Sequence, residues 1–145
     1  MGEVVRATCA GCGFDEETEI GGGLFNSETH SYFPYLCDAC GMVSANIAKQ
    51  PIVCPSDPTH HIKRYGSCHK ERMAQERAAW KPDIRKQTCL ERIGLKRQKL
   101  PTMPPIESKR PICQWGDHEI LAGSYECPAC SKLTLNFAAT GEFFD

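Results

Sequence analysis

The sequence predicts a small, metal-stabilised, mainly β protein with a short α-helical insertion. Three observations predict this fold class. Ten of the 145 residues are cysteine, and six of these form three Cys-x-x-Cys pairs. Short apolar stretches of strand length surround the pairs, whereas a basic, helix-forming stretch separates the last pair from the others. A single large core is not expected, because metal coordination would use part of the apparent apolar content of 41%.

The cysteines are expected to work in a reducing compartment. No apolar run reaches the roughly 18 residues that a transmembrane helix requires, and the N-terminal residues lack the apolar stretch of a signal peptide. We therefore expect a cytoplasmic protein that does not enter a membrane. In that compartment, paired cysteines indicate metal ligands before they indicate disulfides.

The apolar stretches predict strands that lead into and out of the cysteine pairs. The expected strands cover residues 4–8, 32–36, 42–47, 119–122 and 133–137. The apolar side chains expected to form a thin core are Leu24, Phe25, Phe33, Tyr35, Leu36, Val43, Ile47, Ile52, Val53, Trp115, Ile120, Leu121, Leu133, Leu135 and Phe137. The acidic stretch 15–19 is expected to be a surface loop.

The middle of the chain predicts helices rather than strands. Residues 69–80 are rich in helix formers and free of glycine and proline. Pro82 suits the first turn of a second helix, which would run to about Leu100. The stretch 101–111 contains four prolines and is expected to be an extended linker.

The first two cysteine pairs predict one metal site. A structural zinc ion takes four ligands at tetrahedral corners, and two residues between cysteines let one tight turn present both sulfurs. Each of these pairs is followed by glycine, which suits a turn with positive φ. We expect one ion to be held by Cys9, Cys12, Cys37 and Cys40. Zinc is favoured over iron, and a disulfide or free thiols are the alternatives.

The third cysteine pair predicts a second site whose last ligand is open. We expect that ion to be held by Cys54, His60, Cys127 and Cys130. Asp57 stands where another cysteine would complete Cys-x-x-Cys after Cys54, and zinc also accepts imidazole or carboxylate. His61 and Asp57 are therefore alternatives to His60. In the opposing interpretation, Asp57 caps a turn and both histidines face solvent.

The remaining cysteines, Cys68, Cys89 and Cys113, have no partner at ligand spacing. Cys89 falls on the apolar stripe of the second expected helix, where a thiol serves as a small buried hydrophobe. Cys68 and His69 are adjacent and could lend a ligand to the second ion.

The cysteine motifs resemble those of the zinc-ribbon superfamily, in tandem. The matching motifs are Cys9-x-x-Cys12-Gly, Leu36-Cys37-x-x-Cys40-Gly-x-Val43, Cys54-Pro through Tyr65-Gly66, and Tyr125-x-Cys127-Pro-x-Cys130. The resemblance implies two Zn²⁺ ions per chain and two ribbon domains. The first ribbon would cover residues 1–50, and the second would combine 51–68 with 112–145. A basic helical insertion with a proline-rich linker, residues 69–111, would interrupt the second ribbon.

The charges are segregated along the chain, although the formal net charge is only −1. Residues 1–60 carry a balance of −6, residues 61–110 carry +9, and residues 111–145 carry −4. A basic segment between acidic ones suits docking onto a larger assembly. It also suits neutralisation of the acidic ribbons of the same chain or of a second copy.

The sequence favours a binding role over catalysis. A catalytic zinc keeps an open position, whereas four cysteine or histidine ligands close the shell. No nucleophile elbow, P-loop or dinucleotide motif is present. We therefore expect a non-enzymatic protein-interaction or regulatory module without a small-molecule substrate.

The alternative function is DNA or RNA binding through the basic segment 63–99. Helical spacing would gather several of its cations on one face, where they could contact phosphates. The expected contact residues are Lys81, Arg85, Lys86, Arg92, Lys96, Arg97 and Lys99. Against this alternative, the isoelectric point of about 6.5 lies below the basic range typical of nucleic-acid-binding domains.

Overall fold

A computed structural model of the chain describes residues 2–79 and 111–144. The chain divides into two compact units, one formed by Met1–His69 with Lys109–Asp145 and the other by Lys70–Ser108. The first unit contains every strand of the described residues, and nearly all of the described helix belongs to the second unit. The predicted small, mainly β fold class is confirmed.

The described residues form ten strands and one helix. In chain order they are β1 (Gly2–Cys9), β2 (Asp15–Ile20), β3 (Tyr32–Cys37), β4 (Gly41–Asn46), β5 (Ile62–Arg64), β6 (Ser67–Cys68), α1 (His69–Ala79), β7 (Cys113–Trp115), β8 (His118–Ile120), β9 (Tyr125–Glu126) and β10 (Leu133–Phe144). The helix predicted over 69–80 is confirmed as α1. The second predicted helix and residues 101–110 of the predicted linker lie outside the described residues.

The strands of the first unit form three antiparallel sheets. One sheet has the order β2-β1-β10-β9, so the two ends of the chain lie side by side. A second sheet has the order β4-β3-β5, and a third has the order β6-β8-β7. The strand β10 pairs with β1 from Gly2↔Phe144 to Cys9↔Leu135, with one irregularity near Glu3. This long-range pairing brings the first and last cysteine pairs to the same end of one sheet.

The acidic stretch predicted as a loop is the strand β2. Its burial alternates toward its end, where Thr18 and Ile20 are buried while the intervening Glu19 is exposed. The carboxylate of Asp15 accepts two hydrogen bonds from the guanidinium of Arg6 on β1, at 2.7 and 2.6 Å. The loop prediction is wrong because cross-strand pairing with β1 outweighs the low strand propensity of acidic residues.

The core of the first unit lies where the sheets pack together. The fully buried apolar side chains include Val5, Ile20, Phe33, Ile120 and Leu135. The aromatic rings of Tyr65, Tyr125 and Phe137 also pack together edge to face, with ring centroids 5.3–6.2 Å apart. Each such side chain contributes roughly 1.5–3 kcal/mol when buried.

The side chains of Leu24 and Phe25 are not part of this core. They are 62% and 97% exposed, so the prediction that they belong to it is wrong. Leu24 and Phe25 occupy the turn between β2 and β3, where no sheet covers them. Leu133 at the start of β10 and Val53 are also exposed, so the prediction that they belong to the core is wrong as well.

A buried carboxylate on β8 forms hydrogen bonds to β6 and to the first residue of α1, which follows β6. Glu119 on β8 is fully buried. The hydroxyl of Ser67 donates to its Oε1 at 2.9 Å, and Nδ1 of His69 lies 3.0 Å from its Oε2. The backbone N–H of His69 also donates to the carbonyl of Asp117, at 2.8 Å. Glu119 therefore fixes the start of α1 through charge-assisted hydrogen bonding.

Replacement of this carboxylate is expected to destabilise the first unit. The Glu119→Ala variant should lose about 1.5–3 kcal/mol of unfolding free energy, because Ser67 and His69 lose a charged partner at a buried position. The Glu119→Gln variant preserves the shape and one acceptor, so its loss should be smaller. Urea unfolding of the zinc-loaded full chain measures both values. An alanine variant as stable as the wild type would contradict this role.

Candidate metal centres

The first cluster consists of Cys9, Cys12, Cys127 and Cys130. Cys9 is the last residue of β1 and Cys12 lies in the turn toward β2, whereas Cys127 and Cys130 lie in the turn between β9 and β10. Because β1 and β10 are neighbours in one sheet, the two turns meet at the same end of that sheet. Their four sulfur atoms all lie within 4.8 Å of one another.

The sulfur separations in the first cluster match a shared ion rather than disulfides. The Cys9 and Cys130 sulfurs are 3.8 Å apart, and those of Cys12 and Cys127 are 3.6 Å apart. Sulfurs at tetrahedral corners about 2.3 Å from one zinc ion lie about 3.8 Å from each other, whereas a disulfide requires about 2.05 Å. A zinc-sized ion therefore fits this donor set without rearrangement.

The two turns of the first cluster have the same hydrogen-bond pattern. The N–H of Cys9 donates to the carbonyl of Phe14 at 2.8 Å, and that of Cys127 donates to Lys132 at 2.9 Å. In each turn the residue after the second cysteine donates back to the first cysteine's carbonyl, from Gly13 at 3.1 Å and from Ser131 at 2.9 Å. Both donors have positive φ, 74° and 56°. The positive φ predicted for the glycine after the first pair is confirmed, and Ser131 adopts the same conformation although serine does so less readily than glycine.

The second cluster consists of Cys37, Cys40, Cys54 and His60, with ligand atoms again within 4.8 Å of one another. Cys37 is the last residue of β3 and Cys40 lies in the hairpin turn toward β4, and the other two lie in the segment before β5, which pairs with β3. Sulfurs of Cys40 and Cys54 are 3.9 Å apart, and Nδ1 of His60 lies 3.3 Å from the Cys40 sulfur. These separations also suit one tetrahedral ion with three sulfur ligands and one nitrogen ligand.

The structure places His60, rather than His61 or Asp57, in the second cluster. Oδ1 of Asp57 accepts hydrogen bonds from the N–H and the hydroxyl of Thr59, both at 2.8 Å, so it caps the turn. Its other oxygen lies 3.7 Å from Nε2 of His60, the ring nitrogen that does not face the cysteines. That separation is longer than a hydrogen bond, so Asp57 lies beside the imidazole without binding it or the metal site. His61 is 81% exposed and faces Asp38 instead.

Hydrogen bonds to sulfur favour one thiolate in each cluster. The pKa of Cys9 is lowered to about 6, first by the hydroxyl of Thr134, whose oxygen lies 3.0 Å from the sulfur, and further by backbone N–H groups. The pKa of Cys54 is also lowered to about 6, first by the N–H of Asp57 and then by that of Ser56. A divalent cation binds thiolates, so these bonds support the ligand form of both residues.

The exposed thiol of each cluster, Cys12 in the first and Cys40 in the second, has its pKa shifted in the opposite direction from those of the buried Cys9 and Cys54. The N–H of Phe14 acts to lower the pKa of Cys12, but reduced hydration and the neighbouring thiols raise it to about 12. Reduced hydration and neighbouring thiols also raise the pKa of Cys40. Several thiolates crowded together repel one another, and a central cation offsets that repulsion.

The partners of the cysteine pairs differ from the predicted ones. All eight predicted ligands lie in the two clusters, but the pair Cys37/Cys40 joins Cys54 and His60 rather than Cys9 and Cys12. The predicted ligand sets are therefore wrong as sets. The prediction joined the cysteine pairs in the order in which they occur along the chain. Because β1 pairs with β10, the first pair instead joins the last pair, and all ligands of the second cluster lie between them in the sequence.

The spacing held a signal for the correct arrangement. Only 13 residues separate Cys40 from Cys54, whereas 24 separate Cys12 from Cys37. The shorter interval falls within the usual range for zinc sites, and the longer one exceeds it. No comparable signal marks Thr134 in the sequence, because it lies on β10 and contacts Cys9 only through the pairing of β10 with β1.

The predicted ribbon boundaries are not those of the sheets. Strands β1 and β2, from the predicted first ribbon, share one sheet with β10 and β9 from the predicted second, joined by the pairing of β1 with β10. Each cluster nevertheless joins two turns at the edge of a small antiparallel sheet, an arrangement compatible with zinc ribbons. Within residues 2–79 and 111–144, no other group of cysteine, histidine or acidic side chains is arranged to hold a metal ion.

Other predicted residues lie apart from the clusters. Cys113 is buried on β7, where loss of hydration raises its pKa to about 12, as befits an apolar thiol. Cys68 on β6 belongs to neither cluster. Cys89 and the predicted contact residues Lys81, Arg85, Lys86, Arg92, Lys96, Arg97 and Lys99 lie outside the described residues.

Comparison with known proteins adds no relative to this description. No protein-family model, curated protein or solved structure matches the chain. In the described part of the chain, no helix has the length and apolar character needed to cross a membrane. The candidate functional sites of the described residues are thus the two clusters, each able to hold one metal ion through four protein ligands.

Proposed function

We propose that the protein is a non-enzymatic, zinc-stabilised module of the zinc-ribbon type that docks onto a protein partner or a larger assembly in the cytoplasm. The observation that carries the proposal is the composition of the two clusters, which each provide four cysteine or histidine ligands. Four such ligands fill a tetrahedral shell and leave no position for a substrate or an activated water. Both ions are accordingly assigned a structural role.

Zinc is the metal that best fits both donor sets. Three or four thiolates with at most one imidazole, at tetrahedral separations, suit zinc, and they also suit iron. The combination of three cysteines with one histidine is a common structural zinc set. We therefore assign two Zn²⁺ ions to each chain.

The first cluster supports a structural role through the separation of its ligands. Cys12 and Cys127 are 115 positions apart in the chain, yet their sulfurs lie 3.6 Å from each other. One ion at this cluster would hold the two hairpins at the ends of the chain together. Such an ion stabilises the surface on which a partner could dock.

The distribution of charge supports docking by electrostatic complementarity. Among the described residues of the first unit, acidic side chains outnumber basic ones. Most of the chain's lysines and arginines lie in the segment 61–110. Opposite charges on separate parts of a small protein steer association with a complementary surface. They do not provide a catalytic group.

The second candidate function is nucleic-acid binding through residues 63–99. It is favoured by one observation, the balance of +9 over residues 61–110. Phosphate contacts dominate the affinity of nucleic-acid-binding proteins and make it strongly dependent on salt. The acidic first unit opposes such binding.

Retention on immobilised duplex DNA is expected to separate the two candidates. If docking onto protein is the function, the zinc-loaded chain should not be retained on the DNA at about 50 mM salt. A nucleic-acid-binding chain would be retained at about 50 mM salt and released at about 200 mM. Such retention, abolished by Arg92→Glu with Lys96→Glu, would contradict the proposal and favour nucleic-acid binding.

The matched control for that experiment is Lys49→Glu with Lys132→Glu. It makes the same change in net charge outside the segment 63–99. Equal loss of retention in both variants would show that only net charge matters, which excludes a specific nucleic-acid surface. Metal content of all variants shows whether the clusters remain intact.

A further inference from the structure

Each metal cluster presents one cysteine to solvent. Cys12 is exposed in the first cluster and Cys40 in the second, whereas the other sulfur ligands are buried or half-buried. A cysteine reacts with an oxidant according to its thiolate character and its exposure. Cys12 and Cys40 are therefore the two cluster positions that an oxidant in solution reaches first.

The two clusters differ in the charge that they carry around a divalent ion. Four thiolates leave the first cluster with a net charge of −2, whereas three thiolates and a neutral imidazole leave the second with −1. A thiolate whose charge is less neutralised is a stronger nucleophile. Of the two exposed sulfurs, that of Cys12 is therefore the more reactive.

Hydrogen bonds within the first cluster protect a different sulfur. The sulfur of the buried Cys9 lies 3.0 Å from the hydroxyl oxygen of Thr134 and accepts a hydrogen bond from the N–H of Gly11 at 3.3 Å. Hydrogen bonds to a thiolate stabilise its charge and lower its reactivity. The Cys12 sulfur accepts the backbone N–H of Phe14, but it remains open to solvent.

A second thiolate lies in position to form a disulfide with Cys12. Its sulfur is 3.6 Å from that of Cys127, a shorter separation than the 3.8 Å and 3.9 Å of the other two sulfur pairs described above. A disulfide requires about 2.05 Å, so the two sulfurs need only a small movement once no ion lies between them. Cys127 belongs to the other turn of the cluster, between β9 and β10.

We propose that Cys12 is an oxidation site for peroxides and that Cys127 completes the reaction. The Cys12 thiolate attacks one peroxide oxygen, the O–O bond breaks, and the sulfur becomes a sulfenic acid while the other oxygen takes up a proton and leaves as water. The Cys127 thiolate then attacks that sulfur, and the sulfenic oxygen leaves as a second water after protonation. Two thiolates, one hydrogen peroxide and two protons thus give one disulfide and two waters.

This oxidation replaces a link through an ion by a covalent link. Cys9 and Cys130 alone are too few ligands for a tight zinc site, so the first cluster releases its ion. The disulfide still joins two turns whose cysteines are 115 positions apart. The second cluster keeps its four ligands and its ion. The inference rests on the two zinc ions of the proposed function, and it does not depend on the docking partner.

The test adds about one equivalent of hydrogen peroxide to the zinc-loaded full chain and measures released zinc with a colorimetric chelator. Every chain carries Cys68→Ser and Cys89→Ser, so the remaining thiol outside the clusters is the buried Cys113. We expect the loss of about one of the two zinc ions, with a disulfide between Cys12 and Cys127 in tandem mass spectra of the peptides. Dithiothreitol and added zinc should restore the metal content.

Two control variants each lack one cluster. The first carries Cys9→Ser, Cys12→Ser, Cys127→Ser and Cys130→Ser, and it should keep its remaining ion at the same dose of peroxide. The second carries Cys37→Ser, Cys40→Ser, Cys54→Ser and His60→Asn, and it should lose its remaining ion. The disulfide map of the chain with both clusters decides the question even if a variant does not fold.

Three results would overturn the inference. The first is equal loss of zinc from both clusters, or earlier loss from the second. The next is a disulfide within one Cys-x-x-Cys pair instead of one between Cys12 and Cys127. The last is retention of both ions by the chain at this dose.

The failure of this inference can be distinguished from failure of the proposed function. A chain that binds two zinc ions and keeps both in peroxide would contradict the oxidation site alone. A chain that binds no zinc would contradict the structural ions of the proposed function.

Discussion

Chelation of both metal ions is expected to abolish the cooperative unfolding of the first unit. The purified chain should contain about two zinc ions, and their removal should eliminate the thermal transition seen by circular dichroism. Apparent binding energies of structural zinc sites are about 10–16 kcal/mol each, which exceeds the usual net stability of about 5–15 kcal/mol of a whole domain. The thin core formed by three small sheets cannot replace that contribution.

Addition of zinc after chelation is the control for this experiment, and it should restore the transition. Magnesium should not do so, because it prefers oxygen ligands. A content of one ion per chain would remove one of the two assigned ions. An unchanged melting curve after complete removal of zinc would show that the ions are not structural.

The second large effect is expected from removing all four ligands of one cluster. A chain with serine at Cys9, Cys12, Cys127 and Cys130 should still bind about one zinc ion, because the second cluster keeps all its ligands. A chain with serine at Cys9, Cys12, Cys37 and Cys40 should bind none tightly, because each cluster then loses two ligands. Metal analysis after gel filtration measures both contents.

The two variants are matched controls for each other, since each replaces four cysteines by serine. The pairing in chain order predicts the reverse result, with no ion in the first variant and one in the second. That reverse result would contradict the clusters described above. The ligands of the second cluster all lie within residues 37–60, so this site depends less than the first on the β1–β10 pairing.

The local structure at the clusters was predictable because it depends on neighbouring residues. Two residues between cysteines, followed by a residue with positive φ, form the same turn wherever the chain places them. Gly13 and Gly41, at φ 74° and 82°, follow this rule. The helix α1 was predictable for a similar reason, since its composition favours a helix over residues 69–79.

The partners of each turn were not predictable in the same way. A Cys-x-x-Cys turn supplies two ligands and contains no information about which other turn completes the shell. That choice depends on the pairing of β1 with β10, whose residues are more than 120 positions apart. The strand β2 was missed for the same reason, since its acidic residues favour a strand only beside β1.

The sequence by itself determined local properties of this protein: which seven cysteines are spaced as metal ligands, which turns present them, and where the positive charge is concentrated. Only the tertiary structure decided how those ligands combine, that His60 completes the second cluster, and that residues 15–19 form a strand beside β1. The physical reason is that ligand type and turn geometry are local properties. Strand pairing between distant segments is set by the packing of the whole first unit.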